Sequence, residues 1–240
     1  MAKVAVFIHG MWGTPGVWRN WRPAFEARGW STQAPALRHH DPAWTERSPS
    51  DPGVAVVSLL DYLADLEAYI GGLCPSPADK PVLVGHSMGG LLALMLAARA
   101  AVLLTPAPPA GVFALRLSNL RAFLRIETRW AWWRKPHCAT RDEALWHTFN
   151  TTDPAEGARE YEAFVPDSGR ALLEIGLPRQ ADAARRRASH RRPVRPCRHL
   201  PRVSGPGTLG ARAARLATGR GRRARLARRH RRPARSMRWR

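Results

Sequence analysis

Three runs of consecutive apolar residues in the first half of the chain predict buried β-strands. They are residues 4–8, 82–84 and 101–105, and a weaker run covers residues 30–36. Pro81 and Gly85 bound the second run, and Pro106 ends the third. Short apolar runs without strict alternation are typical of strands that are covered on both faces, as in a parallel sheet.

Segments with helical spacing lie between these runs. Thr14-Pro15 is typical of an N-cap and a first helical residue, and Gly29 is typical of a C-terminal cap. A second helix is predicted to begin at Asp51-Pro52 and to end at Gly71-Gly72. Its apolar stripe consists of Val57, Leu60, Leu63, Leu66 and Ile70. Residues 91–98 are helix formers without a breaker. The alternation of strands and helices favours an α/β fold with a parallel sheet.

The change from strand to helix at residues 85–89 contains the candidate nucleophile. The sequence there is Gly85-His86-Ser87-Met88-Gly89, a G-x-S-x-G pattern. A strand that turns directly into a helix strains the middle residue and brings the residues two before and two after it close together, so only small side chains fit there, as Gly85 and Gly89 do. Ser87 is then raised above the sheet. A simple Gly/Ser turn is the alternative, but the strand before and the helix after favour the elbow.

The end of the first predicted strand supports this interpretation. Residues 4–8 run into His9-Gly10, and a strand that ends in this way can place a backbone N–H beside the serine. The predicted oxyanion donors are the N–H of Met11 and that of Met88, the residue after the nucleophile. A plain turn at the end of the strand is the alternative. Both segments fall at the carboxyl ends of strands, where parallel sheets place their sites.

Together, the His9-Gly10 loop and the Gly85–Gly90 elbow resemble the α/β-hydrolase family, over residues 3–175. The resemblance implies a parallel-sheet α/β-hydrolase core that acts on an ester, thioester or related acyl compound. It implies a Ser nucleophile, a His base and an acidic residue, without a metal or cofactor. It also implies a helical lid inserted after the strand that ends at Thr105. We therefore expect Ser87 to be the nucleophile, supported by His9, Gly10, Gly85, His86 and Gly89.

The chain is divided into three parts by these patterns: the core at residues 1–106, a helical lid with a return to the core at 107–176, and a tail at 177–240. Within the second part, Thr140 and Glu143 form a capping box, Asp153-Pro154 predicts a helix start, and residues 113–126 are amphipathic. We expect residues 107–169 to be mainly helical, to lie above Ser87 and to hold fewer than two strands. Four tryptophans, Trp130, Trp132, Trp133 and Trp146, could line an acyl pocket, but we favour the core of a small helical layer.

The tail carries almost all of the net charge of +21. Residues 181–240 contain 21 arginines, one acidic residue (Asp182), and only four leucines and two valines. A segment with so few aliphatic residues cannot form a core. We therefore predict that the tail is disordered and that the C-terminal strands of the sheet are missing. Arg, Ala, Pro and Gly are the residues that a GC-rich gene gives when it is translated out of frame, and we favour a frame slip near residues 177–184. A genuine basic tail that binds nucleic acid or another polyanion is the alternative.

The catalytic acid and histidine are not identified by the sequence. The family order places both after the lid, each just past a strand. The candidate histidines of the lid and tail, His137, His147, His190, His199 and His230, lack that context. His39 and His40 lie in a loop at the carboxyl edge of the sheet and could contact substrate, although solvated loop histidines are favoured.

The predicted function is therefore a serine hydrolase of small-molecule esters or related acyl substrates. The alternative is a catalytically incomplete hydrolase-like protein whose basic tail binds polyanions, and nucleic acid is expected as a partner only in that case. Three widely spaced cysteines predict neither a disulfide framework nor a zinc site and favour the cytoplasm. The most apolar segment, residues 91–104, is too short to span a membrane.

Overall fold

A parallel β-sheet forms the centre of the protein. The structure, a computed structural model, describes residues 3–40, 52–74, 79–96, 98–109, 126 and 128–176. Within these ranges the sheet has four strands, β1 (Val4–Ile8), β2 (Ser31–Gln33), β3 (Val82–His86) and β4 (Ala100–Leu104), in the order β2-β1-β3-β4. Every pairing in this sheet is parallel. The predicted α/β fold with a parallel sheet is confirmed.

Both faces of the sheet are covered by helices. Ala5 and Phe7 of β1 pack on one face with aromatic residues from a 3-10 helix (Pro15–Trp18) and from α1 (Arg22–Glu26). Val6 and Ile8 point to the other face, where α2 (Leu59–Leu73) and α3 (Met88–Met95) supply the core. The helices that follow β1 and β3 therefore lie on opposite faces of the sheet. A crevice outside the carboxyl ends of two such strands is where open α/β sheets place their ligands.

The helix predicted between Thr14 and Gly29 is two short pieces. Thr14 does cap the first piece, because its hydroxyl accepts the N–H of Gly16 at 3.3 Å. Gly29 has φ +75°, the left-handed conformation expected at a helix C-terminus. The caps were predicted correctly, and the continuous helix was not.

The helix predicted from Asp51-Pro52 begins later and ends later. Residues Pro52–Val56 form a separate 3-10 helix, and α2 starts at Leu59 because Ser58 and Asp61 form a reciprocal capping box. α2 then passes through Gly71-Gly72 to Leu73. Leu60 of the predicted stripe is 43 % exposed, and Tyr62 is fully buried instead.

Residues 128–176 form a layer of short helices and a small sheet. The helical pieces are a 3-10 helix (Trp132–Arg134), α4 (Arg141–Glu143), a π-helical turn (Ala144–Thr148), α5 (Pro154–Tyr161) and α6 (Gly169–Gly176). The Thr140–Glu143 capping box and the N-cap at Asp153 are present as predicted. Two strands also occur, β5 (Pro136–His137) and β6 (Asp167–Ser168), which pair antiparallel. The expectation of fewer than two strands in residues 107–169 is therefore wrong, because a two-residue strand leaves no periodicity in the sequence.

The tryptophans of this layer are not its core. Trp130 is 86 % exposed, Trp133 37 % and Trp146 44 %, and Trp132 is half-buried, so the favoured interpretation is wrong. The core is built from Trp12, Ile126, Ala139, Ala144, Phe149, Tyr161, Phe164 and Leu172. Trp12 belongs to the loop after β1, so this layer packs directly on that loop. The predicted tail, residues 177–240, and most of the predicted amphipathic segment at 113–126 lie outside the described residues.

Candidate active site

Ser87 lies at the elbow between β3 and α3. Its backbone has φ 51° and ψ −119°, a conformation that is rare for any residue other than glycine. The turn is held by backbone hydrogen bonds: the N–H of Ser87 donates to the carbonyl of Leu104 at 3.1 Å, and the carbonyl of Ser87 accepts the N–H of Ala107 at 2.9 Å. In the described part of the chain, Ser87 Oγ has no hydrogen-bond partner. The serine is thus strained, fixed at its backbone and free at its side chain.

Two glycines make this elbow sterically possible. A Cβ atom at Gly85 would lie 2.3 Å from the carbonyl oxygen of Gly89, and one at Gly89 would lie 2.3 Å from the carbonyl oxygen of Ile8. The residues two before and two after Ser87 therefore approach as closely as the sequence pattern predicts. The second contact also presses the start of α3 against the end of β1.

The loop after β1 lies beside the serine. A Cβ atom at Gly10 would lie 2.9 Å from Cβ of Ser87. From Gly10 the chain makes a β-turn, residues 10–13, in which the N–H of Gly13 donates to the carbonyl of Gly10 at 3.1 Å. Met11 and Trp12 are the central residues of this 10–13 turn, and Trp12 has φ +62°. The structure thus brings together the loop and the elbow that the sequence singled out.

His9 is hydrogen-bonded to the first residue of the 10–13 turn. Its Nε2 accepts the N–H of Leu37 at 3.2 Å, which leaves Nδ1 to carry the proton and to donate to the carbonyl of Gly10 at 2.9 Å. Burial, with the nearby charge of His40, lowers the pKa of His9 to about 3. His86, whose Nδ1 lies against Gly10, has its pKa lowered to about 4 by burial. Both imidazoles are therefore neutral at physiological pH.

A buried ion pair, which the sequence did not predict, lies next to His9. His40 is fully buried, and its Nε2 donates to Oδ2 of Asp167 at 2.9 Å while its Nδ1 donates to the carbonyl of Arg38 at 3.0 Å. The preference for a solvated His40 is therefore wrong, whereas His39 is half-buried. No pattern in the sequence could reveal this pair, because its partners are 127 residues apart.

Asp167 accepts four hydrogen bonds in the protein interior. Oδ2 accepts the backbone N–H of Trp12 at 3.2 Å as well as His40, and Oδ1 accepts the hydroxyl of Tyr62 at 3.0 Å and the N–H of Ser168 at 2.6 Å. Burial alone would raise the pKa of Asp167, but the charge of His40 and these hydrogen bonds outweigh it and lower the pKa. For His40, burial would lower the pKa, and the attraction of Asp167 raises it instead. Both shifts favour the charged forms, a carboxylate on Asp167 facing an imidazolium on His40.

A general base for Ser87 is not found among the described residues. Both ring nitrogens of His9 and of His40 form hydrogen bonds with groups other than Ser87. Nε2 of His137 is hydrogen-bonded to the carbonyl of Trp132 at 2.6 Å. The positions at which a His and an acid are expected fall after residue 176, outside the described ranges. In these ranges no cluster of three or more His, Cys, Asp or Glu side chains could hold a metal ion. Nor does the described part of the chain contain a helix with the length and apolarity needed to cross a membrane.

The family model described as "Alpha/beta hydrolase family" matches residues 5–239. The chain belongs to the alpha/beta hydrolase family. Membership of this family, together with the central parallel sheet, supports a hydrolase. The family match continues through the arginine-rich segment. No curated protein matches this alpha/beta hydrolase.

Solved structures of other proteins share the fold. An extracellular alpha/beta-hydrolase from a Paenibacillus species is 20 % identical with a TM-score of 0.52, over 69 % of this chain and 66 % of that one. Tomato methylketone synthase I is 16 % identical with a TM-score of 0.50, over 70 % and 68 %. A methylesterase protein from Arabidopsis is 17 % identical with a TM-score of 0.51, over 74 % and 72 %. At these identities the likeness shows the fold, and the chain spans about two thirds of the length of the first two structures.

Proposed function

We propose that the protein is a serine hydrolase in which Ser87 attacks the carbonyl carbon of a small-molecule ester or related acyl compound. The observation that carries the proposal is the strained Ser87 between β3 and α3, with Gly10 packed against its Cβ. Strained conformations of this kind persist where the surrounding structure fixes them, and they cluster at active sites. The description of one similar structure, that from Arabidopsis, as a methylesterase favours esters among the acyl compounds.

The chemistry requires donors for the negative charge that develops on the carbonyl oxygen. Met88 is the first residue of α3, directly after Ser87, and Met11 is a central residue of the 10–13 turn, whose Gly10 lies against the serine; the N–H groups of Met88 and Met11 are the proposed donors. Two such donors in a water-poor site are worth several kcal/mol of transition-state stabilisation. Because His9 and His86 are neutral, neither of them places a competing cation beside this position. The base and the acid that would complete the triad are proposed to come from the alternative reading frame after the lid, because residues 181–240 as written offer only one acid, Asp182.

The helical layer at residues 128–169 is proposed to act as the lid. Its core contains Trp12, so it is attached to the loop that flanks Ser87. In this position it would cover one side of the crevice and restrict the size of the acyl group. The parts of residues 107–127 that complete the proposed lid lie largely outside the described residues.

Replacing Met11 by proline tests the proposed oxyanion hole. Proline lacks the N–H but suits the second position of a β-turn, so the turn should be kept. We expect the second-order rate of Ser87 labelling by a fluorophosphonate to fall about 100-fold, because this reaction also places charge on an oxygen in the hole. Labelling is followed by intact-protein mass spectrometry.

Met11→Leu is the matched control, since it changes the side chain and keeps the N–H. It should label within about two-fold of the parent. Equal labelling rates in Met11→Pro and Met11→Leu would contradict the assignment of the Met11 N–H. Complete resistance of the folded protein to fluorophosphonates and to p-nitrophenyl esters, both as written and with the reading frame restored after residue 177, would contradict the proposed function itself.

A further inference from the structure

Trp12 is held in an unfavourable backbone conformation by three hydrogen bonds. Its φ of +62° is costly for a bulky residue, on the order of 1–3 kcal/mol. Its N–H donates to Oδ2 of Asp167 at 3.2 Å, its carbonyl accepts the N–H of Val165 at 3.0 Å, and its indole Nε1 donates to the carbonyl of His137 at 3.0 Å. All three partners come from β5, β6 and the segment just before β6. The 10–13 turn is therefore fixed from outside, by the layer at residues 128–176.

Of these three partners, Asp167 contributes a charged side chain, whereas His137 and Val165 contribute backbone groups. A hydrogen bond from a backbone N–H to a carboxylate is shorter and about twice as strong as one between neutral groups. The carboxylate cannot move away, because His40, Tyr62 and the N–H of Ser168 hold its two oxygens. It is 1 % exposed, so water cannot replace it at the N–H of Trp12.

We propose that Asp167 is a positioning residue that fixes the 10–13 turn, and with it the N–H of Met11, for the reaction at Ser87. The inference rests on the proposed function. Relaxation of Trp12 toward negative φ would rotate the Met11–Trp12 peptide plane. Because the hydrogen bond from Gly13 to Gly10 closes the turn, the adjoining Gly10–Met11 peptide, which carries the Met11 N–H, would have to adjust with it. Oxyanion donors act over a narrow range, about 2.7–3.1 Å from the developing charge, so a small rotation is enough to weaken them.

The test compares two variants that each remove one buried carboxylate. Asp167→Ala removes the partner of the Trp12 N–H. Glu174→Ala is the matched control, because Glu174 is 5 % exposed and its Oε2 accepts the backbone N–H of Leu59 at 2.8 Å, away from Ser87. Two quantities are measured in the full chain: hydrogen exchange of the peptide that covers residues 9–14, and the fluorophosphonate inactivation constants kinact and KI.

In Asp167→Ala we expect amide exchange at residues 9–14 to rise at least about ten-fold. We also expect kinact to fall about ten-fold with KI within two-fold of the parent, since an interaction that acts only in the transition state changes the rate and not the binding. Glu174→Ala should change neither the amide exchange at residues 9–14 nor the inactivation constants measured at Ser87. A purely structural role for Asp167 would not separate kinact from KI.

If Asp167→Ala does not fold, Asp167→Asn takes its place, because it keeps the volume and leaves one oxygen for four donors. We expect the same changes, with a smaller amplitude. Unchanged exchange at residues 9–14 in the folded variant overturns the inference, and so does raised exchange with unchanged kinact. A protein that is never labelled, either as written or with the reading frame restored, overturns the proposed function instead, while exchange still decides whether Asp167 fixes the turn.

Discussion

Gly89→Ala is expected to prevent the protein from folding. The new Cβ would lie 2.3 Å from the carbonyl oxygen of Ile8 and 2.4 Å from that of His9, and both are backbone atoms of the end of β1. A flexible side chain could move aside, but β1 is paired on both edges, with β2 and β3. Relief would require α3 to separate from the sheet. We expect a loss of about 4 kcal/mol or more, a large part of the 5–15 kcal/mol that stabilises a typical domain.

Gly71→Ala is the matched control for this prediction. Gly71 lies in α2, and a Cβ there would meet nothing within 4 Å. Alanine should stabilise the helix by about 0.5–1 kcal/mol. The two variants are compared by soluble yield and by urea unfolding followed by circular dichroism. A folded Gly89→Ala with a midpoint close to that of the parent would show that the contact between α3 and β1 is looser than described.

Under the hypothesis of a frame slip near residues 177–184, translation in the alternative frame after residue 177 is expected to raise ester hydrolysis at least about 1000-fold over the chain as written. A serine nucleophile needs a base to accept its proton and an acid to orient that base. No described histidine is hydrogen-bonded to the Ser87 hydroxyl, and residues 181–240 offer one acid, Asp182, among 21 arginines. In a serine protease, loss of the base alone costs about as much as loss of the whole triad.

The comparison uses p-nitrophenyl esters with both chains at equal concentration. The restored frame should contain a strand that ends in Asp or Glu and, later, a Gly-His pair. Ser87→Ala in the restored chain is the control and should remove the gain. Comparable turnover by the chain as written would show that its basic tail is a working part of the enzyme and that the frame is correct.

The sheet and the elbow could be predicted because burial on both faces leaves a direct trace in the sequence. The bounds of β1 match the apolar run at residues 4–8, and the glycines at 85 and 89 mark a contact that excludes any Cβ atom. These features depend on neighbours along the chain or on composition alone. The same holds for the capping boxes at Ser58 and Thr140. The pattern at Asp51-Pro52 nevertheless predicts a helix start, and the true start of α2 after Ser58 was not predicted.

The buried network behind the site could not be predicted in this way. The contact between His40 and Asp167 spans 127 residues, and neither residue lies in a pattern that favours burial. The exposure of Trp130 is a similar case, because aromatic content does not tell which side of a short helical turn faces solvent. Long-range polar contacts and the orientation of short segments are decided by tertiary packing.

The central claim, that Ser87 is the nucleophile, is tested most directly by locating a covalent adduct. The folded protein, both as written and with the reading frame restored after residue 177, is treated with a fluorophosphonate, digested, and analysed by tandem mass spectrometry, with Ser87→Ala in parallel. The account predicts a single adduct on Ser87 and none in Ser87→Ala. An adduct on a different residue, or labelling that survives in Ser87→Ala, would contradict it and would mean that the elbow is only a turn.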